Sequence, residues 1–123
     1  MDKKVVMIVD DEAPILKVVS DLLTLEGYEV VTALNGKESL EKLKQTKPDL
    51  ILIDFFMPGM SGRELCEKIR ADNELKDLKV AFITAASFSQ SGEKELKNMD
   101  VLDYIKKPFD NKDLVERVKK ITG

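Results

Sequence analysis

The sequence predicts an α/β domain built on a parallel sheet with helices on both faces. Three observations predict it. Five short runs rich in Val, Ile or aromatics recur along the chain, helix-period segments lie between them, and the runs are apolar on both faces rather than alternating. The runs are Val5 to Val9, Val30 to Ala33, Leu50 to Ile53, Val80 to Ile83 and Leu102 to Ile105, the last with Asp103 inside it. Each is too short for a helix, so five strands are expected.

The helices follow in order. After the first strand, Pro14 stands where a first helical turn tolerates proline. Ile15, Val18 and Val19, Leu22, and Leu25 with Glu26 trace one helix face, and Lys17 and Asp21 the other. Gly27 then stops the helix. Asn35 with Glu38 reads as a variant capping box opening a second helix anchored by Leu40 and Leu43. Ser61-Gly62-Arg63-Glu64 is a capping box before a third, anchored by Leu65 and Ile69, in which Cys66 reads as a small buried hydrophobe. The segment "SFSQSGEKELKNMD" offers only Leu96 and Met99 as anchors, so the fourth helix should dock least stably. Phe88 in that Ser-rich stretch reads as a core residue or a partner contact. Asp110 caps a fifth helix carrying Leu114, Val118 and Ile121.

At 123 residues the chain is expected to be one domain, spanning 1–123, with no repeat or linker. Lys and Arg number 20 against 23 Asp and Glu, a mixed-sign surface with no basic stripe for nucleic acid. "MDKKVVMIVDDE" meets charge too soon for a signal peptide or membrane span, so a cytoplasmic protein without direct membrane contact is expected. Cys66 is the sole cysteine, which excludes an intramolecular disulfide and a cysteine zinc site. Histidine is absent. Ser-His-Asp and Cys-His nucleophiles and imidazole metal sites are therefore excluded, and the chain cannot be the phosphohistidine member of a relay.

Functional residues in such sheets gather outside the carboxyl ends of the strands. The first strand ends in Asp10-Asp11, the third in Asp54, the fourth in Thr84, and the fifth in Lys107 before Pro108. The second ends in Ala33-Leu34-Asn35, which places it at the periphery. Three clustered carboxylates need a cation, and an all-oxygen set suits Mg²⁺. Lysine and a threonine hydroxyl suit phosphoryl oxygens, so the set is equipment for phosphoryl transfer. Each residue alone has a plainer role. Asp10-Asp11 would favour the positive end of the first helix, Thr84 suits a strand, and Lys107 suits a solvated loop. Asp54 resists that treatment, because a carboxylate ending the most apolar run is costly unless something offsets it.

"IVDDE" at 8 to 12, "DFFMP" at 54 to 58 with Gly62 after it, "ITA" at 83 to 85 and "DYIKKPF" at 103 to 109 stand together in order and spacing. Over nearly its whole length the chain resembles the receiver domain of two-component response regulators, of the chemotaxis-type single-domain form. The resemblance implies a flavodoxin-like (βα)5 three-layer sandwich with strand order 2-1-3-4-5. It implies that Asp54 is the phosphoacceptor, that Asp11 and Asp54 bind Mg²⁺ directly, and that Asp10 does so through water. The Phe56 carbonyl would complete the protein ligands. Lys107 would pair with Asp54 at rest and with the phosphoryl group afterwards; Thr84 would follow that group inward, and Tyr104 would change rotamer behind it. Pro58, Gly62 and Pro108 would shape the loops, the Lys107–Pro108 bond being cis.

The implied partners are a sensor histidine kinase or histidine phosphotransfer protein, or a small phosphodonor, and a downstream effector. The implied responsive surface is the fourth helix, fifth strand and fifth helix. A monomer or a weak phosphorylation-dependent dimer is expected, and a signalling domain rather than an enzyme. Two other readings stand beside this one. A haloacid dehalogenase-type phosphatase also uses an aspartate nucleophile with Mg²⁺, but wants a second acid where Phe56 stands. A pseudo-receiver would bind partners without phosphorylation, against which the intact Asp10, Asp11, Asp54, Thr84 and Lys107 argue. Phe56 replaces the polar residue many members carry, and Ala86, two after Thr84, has no group to orient a water. Slow hydrolysis of an aspartyl phosphate is therefore expected.

Overall fold

The computed structural model describes residues 3–85 and 100–123. Its elements run β1 (Val5–Val9), α1 (Ala13–Leu25), β2 (Glu29–Ala33), α2 (Gly36–Leu43), β3 (Leu50–Asp54), α3 (Gly62–Ala71), β4 (Val80–Thr84), β5 (Val101–Lys106) and a C-terminal helix (Asn111–Thr122). The five strands form one parallel sheet in the order β2-β1-β3-β4-β5, as expected. Four of the five expected helices are among the described residues. The fourth, with Leu96 and Met99, lies outside them, as do Ala86 and Phe88.

Strand parity sorts the core into two layers. Val6 and Ile8, Leu50 and Leu52, and Ala81 and Ile83 face α1 and the C-terminal helix, where they meet Leu16, Val19, Leu23, Leu114 and Val118. Met7 and Val9, Ile51 and Ile53, and Val80 and Phe82 face Leu43 of α2 and Leu65, Cys66 and Ile69 of α3. Each fully buried aliphatic chain contributes about 2 kcal/mol relative to exposure. Coverage on both faces explains why β3 and β4 are buried throughout and carry no alternation. β2 is an edge strand and only half-buried.

The helix ends follow the expected chemistry. Ser61 and Glu64 form the reciprocal capping box. Asn35 accepts from the Glu38 N–H, and Asp110 accepts from the Asp113 N–H. Gly27, at φ +95°, closes α1 with Tyr28 N–H on the Leu23 carbonyl and Gly27 N–H on that of Thr24, a Schellman turn.

Two expectations change. The buried face of α1 is Leu16, Val19 and Leu23, with Ile15 and Leu22 packed beside it, whereas Val18 and Leu25 are exposed. The apolar residues of α1 cover more than one stripe, and the sheet selects the stripe that reaches β1 and β2. Asp103 enters the β5 run through a bulge: Val80 pairs Val101 and Phe82 pairs Tyr104, so two residues oppose Ala81. The Asp103 carboxylate pairs with Arg117 at 2.6 Å.

Candidate phosphoacceptor site

The sheet brings the expected strand ends together at its carboxyl edge. Asp10 follows β1 and is fully buried; Asp54 ends β3 and is 4% exposed. Both share the parity of the layer facing α1 and the C-terminal helix. Lys107 reaches them from the end of β5. Its Nζ donates to Asp10 Oδ2 at 2.8 Å and stands 3.5 Å from Asp54 Oδ2. The resting partner of Lys107 is thus Asp10 first and Asp54 second.

One residue enters that the strand-end reading missed. Glu12 lies 3.9 Å from the same ammonium, and its ligand oxygen lies within 4.8 Å of those of Asp10 and Asp11. In sequence Glu12 is indistinguishable from an acid at a helix start, which is also where it sits, as the N-cap of α1. Only the return of Lys107 from residue 107 reveals its second neighbourhood.

The electrostatics follow from burial. Desolvation pushes the Asp54 carboxyl up from 3.8 to about 6, and the Asp10 charge pushes the same way. The Lys107 charge and the Phe56 N–H, which donates to Asp54 Oδ1 at 3.3 Å, oppose the rise, and a hydrogen bond to Asp11 adds to it. Lys107 shows the converse balance. Burial pulls its ammonium down, but the hydrogen bond and charge of Asp10, then Asp54 and Glu12, more than reverse this, so its pKa is raised.

The remaining expected residues lie on β4, on β5 and in the loops that follow β3 and β5. Thr84 is buried, has the parity of the opposite layer, and accepts the Lys107 N–H on its carbonyl at 2.8 Å. Tyr104 stacks on Phe82 in that layer with ring centroids 6.4 Å apart. Lys107–Pro108 is cis. The loop after β3 is closed by Gly62 N–H on the Phe55 carbonyl at 2.9 Å. Pro58 lies within that loop, and the Phe56 ring is 57% exposed at its start, edge-on to Phe55.

The donor set decides which cation fits. Among the described residues Asp10, Asp11 and Glu12 form the acidic group close enough to share one ion, with Asp54 outside it, and such an all-oxygen set suits a hard divalent ion such as Mg²⁺. Burial first, and the Asp10 charge second, hold the Asp54 carboxyl up despite Lys107, and a cation at the Asp10-Asp11 edge would favour its ionised form. No helix among the described residues is long and apolar enough to cross a membrane.

Comparisons with known proteins identify the family. The chain is 37% identical over 122 residues to the phosphate regulon transcriptional regulatory protein PhoB of Pseudomonas aeruginosa, covering 96% of this chain and 51% of that protein. It is 35% identical over 121 residues to the polar-differentiation response regulator DivK of Brucella anthropi, covering 98% and 97%. A 38% identical match to hybrid signal transduction histidine kinase D of Dictyostelium discoideum spans only 7% of that protein. The chain thus spans about half of PhoB, a small part of the hybrid kinase and nearly all of DivK. Among solved structures, the chemotaxis protein CheY4 of Vibrio cholerae superposes with a TM-score of 0.91 at 30% identity, covering 98% of this chain and 99% of that one. Residues 6–119 match the family model of the response regulator receiver domain. With that match covering most of its length, the chain belongs to the response regulator receiver domains of two-component signalling.

Proposed function

We propose that Asp54 accepts a phosphoryl group from the phosphohistidine of a sensor kinase or phosphotransfer protein, or from a small phosphodonor, and that the product switches a partner surface. The observation that carries this reading is a carboxylate, 4% exposed, held at the end of a fully buried strand with one lysine shared between it and Asp10. Burial on that scale is costly for a group without a task.

In the proposed step an Asp54 oxygen attacks phosphorus, a P–O bond forms, and the P–N bond to imidazole or the P–O bond to the small donor's leaving group breaks. Lys107 holds an equatorial phosphoryl oxygen and is released from Asp54 as the acceptor becomes esterified. The Phe56 N–H, already on Asp54 Oδ1, fixes the carboxylate rotamer. Asp10 and Asp11, with Asp54 and the Phe56 carbonyl, would hold Mg²⁺, Asp10 through water. Bound there, the ion would supply positive charge to offset that of the carboxylates and the phosphoryl group.

The aspartyl phosphate adds about −1.5 to −2 charge and new acceptors, which draw Thr84 and Lys107 inward. Tyr104, one strand away on Phe82, responds by changing rotamer. The output surface comprises β5, the C-terminal helix and the segment between β4 and β5, and it serves an effector or a weak dimer. The whole chain, 1–123, acts as one signalling domain rather than an enzyme, in the cytoplasm. Hydrolysis is slow, because the exposed apolar Phe56 ring offers nothing to orient an attacking water.

The test is intact mass after incubation with acetyl phosphate, with and without Mg²⁺, beside Asp54→Asn. A Mg²⁺-dependent gain of one phosphoryl mass, absent from the variant, supports the reading. An unchanged mass with both acetyl phosphate and a phosphorylated kinase would leave a pseudo-receiver instead.

A further inference from the structure

The loop that carries the Phe56 peptide is held at several places, and one of them lies outside the site. At its base, Phe55 packs edge-on against Phe82 with centroids 5.3 Å apart. At its end, Gly62 approaches so closely that a Cβ there would lie 2.5 Å from the Asp54 carbonyl oxygen. At its tip, Met60 reaches across to α2. A Cβ built on Gly36 would lie 2.5 Å from Met60 Sδ, 3.2 Å from Cγ and 3.3 Å from Cβ, so the thioether chain occupies the space where a side chain at 36 would be.

Gly36 offers a firm seat. It is buried in the first turn of α2, where its carbonyl accepts the Ser39 hydroxyl at 2.7 Å. Asn35 caps that turn, and the Glu38 carboxylate accepts the Leu34 N–H at 3.1 Å. Between base and tip, Met57 is buried in the layer facing α2 and α3. Gly59, at φ +77°, turns the chain just before Met60, and the Phe56 ring is mostly in solvent.

We propose that Met60, seated on Gly36, is a positioning residue that holds the Phe56 peptide against Asp54 and toward the cation edge. The inference rests on the receiver reading above and deepens it. Met60 touches neither phosphorus nor metal. It fixes the loop whose backbone N–H orients the acceptor and whose carbonyl would face the ion, as outer supports of metal sites do. A flexible chain on a glycine is suited to this, because it fills an irregular gap without demanding one rotamer.

The test is a double-mutant cycle on the full chain, with two readouts. One is amide hydrogen exchange at Phe56 and Gly62 in metal-free protein; the other is the Kd for Mg²⁺ by calorimetry. Met60→Ala empties the seat, and Gly36→Ala drives a methyl into Met60. Each is expected to speed exchange at both amides and to weaken Mg²⁺ binding about tenfold. In Gly36→Ala/Met60→Ala the new methyl enters the vacated space, so the pair should recover well short of the product of the singles. Leu75→Ala, which trims the same apolar layer at the other end of the sheet, should move neither readout. Strict multiplication of the two single effects, singles indistinguishable from wild type, or an equal effect of Leu75→Ala would each overturn the proposal. If wild type binds no Mg²⁺, the receiver reading fails separately, and the exchange rates still decide the role of Met60.

Discussion

Replacing Asp54 by Asn should stabilise the protein at neutral pH and do so less as pH falls. The folded carboxyl titrates near 6 against 3.8 as the ordinary value, so folding favours its protonated form. A raised acid binds more protons folded than unfolded, and its contribution to stability is lost as pH rises from 3.8 through 6. Two units at 1.36 kcal/mol each make the full penalty about 3 kcal/mol above that window. The side chain is only 6% exposed, so solvent screens little of it. Asparagine has similar volume and no charge, and it escapes the penalty. Urea titrations followed by circular dichroism, in EDTA, should show Asp54→Asn more stable than wild type by about 2–3 kcal/mol near pH 7.5. The gap should shrink to about 1 kcal/mol by about pH 4.5 and close below 3.8. Mg²⁺ should also narrow it at neutral pH, because the ion binds the ionised wild type. A gap that did not change with pH, or a variant less stable than wild type at neutral pH, would refute the reasoning.

Three further outcomes are expected. Lys107→Ala leaves Asp10 and Asp54 without their ammonium and should cost about 3 kcal/mol at neutral pH by denaturant titration, with part of the loss recovered when Asp54→Asn is added. Gly62→Ala places a methyl 2.5 Å from one backbone atom and 2.7 Å from another, neither of which can swing aside. It should cost about 3 kcal/mol in a thermal or urea melt, and a variant as stable as wild type would contradict that close approach. Phe56→Asn supplies a group able to orient water. One hydrogen bond of about 1 kcal/mol should speed phosphate release from purified phosphoprotein about fivefold, read by loss of the phosphoryl mass with time.

The regular elements were legible because their signals are local. Each strand is a short apolar run, and Ser61, Asn35, Asp110 and Gly27 cap or stop helices by chemistry that needs no tertiary context. Strand-end carboxylates were legible for a related reason, since a parallel sheet must bring its carboxyl edge together. What escaped depends on contacts between distant residues. The stripe α1 buries is chosen by the sheet, which leaves Val18 and Leu25 in solvent. Asp103 interrupts β5 through a bulge that only pairing with β4 defines. Glu12 looks like a helix-start acid until Lys107 arrives beside it, and the preference of Lys107 for Asp10 over Asp54 is a matter of 0.7 Å, 3.5 against 2.8.

The most direct test is to locate the phosphoryl group. The protein, loaded with a phosphodonor in Mg²⁺, would be reduced with borohydride, which converts an aspartyl phosphate to homoserine, and its peptides sequenced by mass spectrometry. The account predicts homoserine at position 54 and at no other aspartate, with none formed when Mg²⁺ is withheld. Homoserine at Asp10 or Asp11, or an unmodified Asp54 in protein that has gained phosphoryl mass, would contradict it.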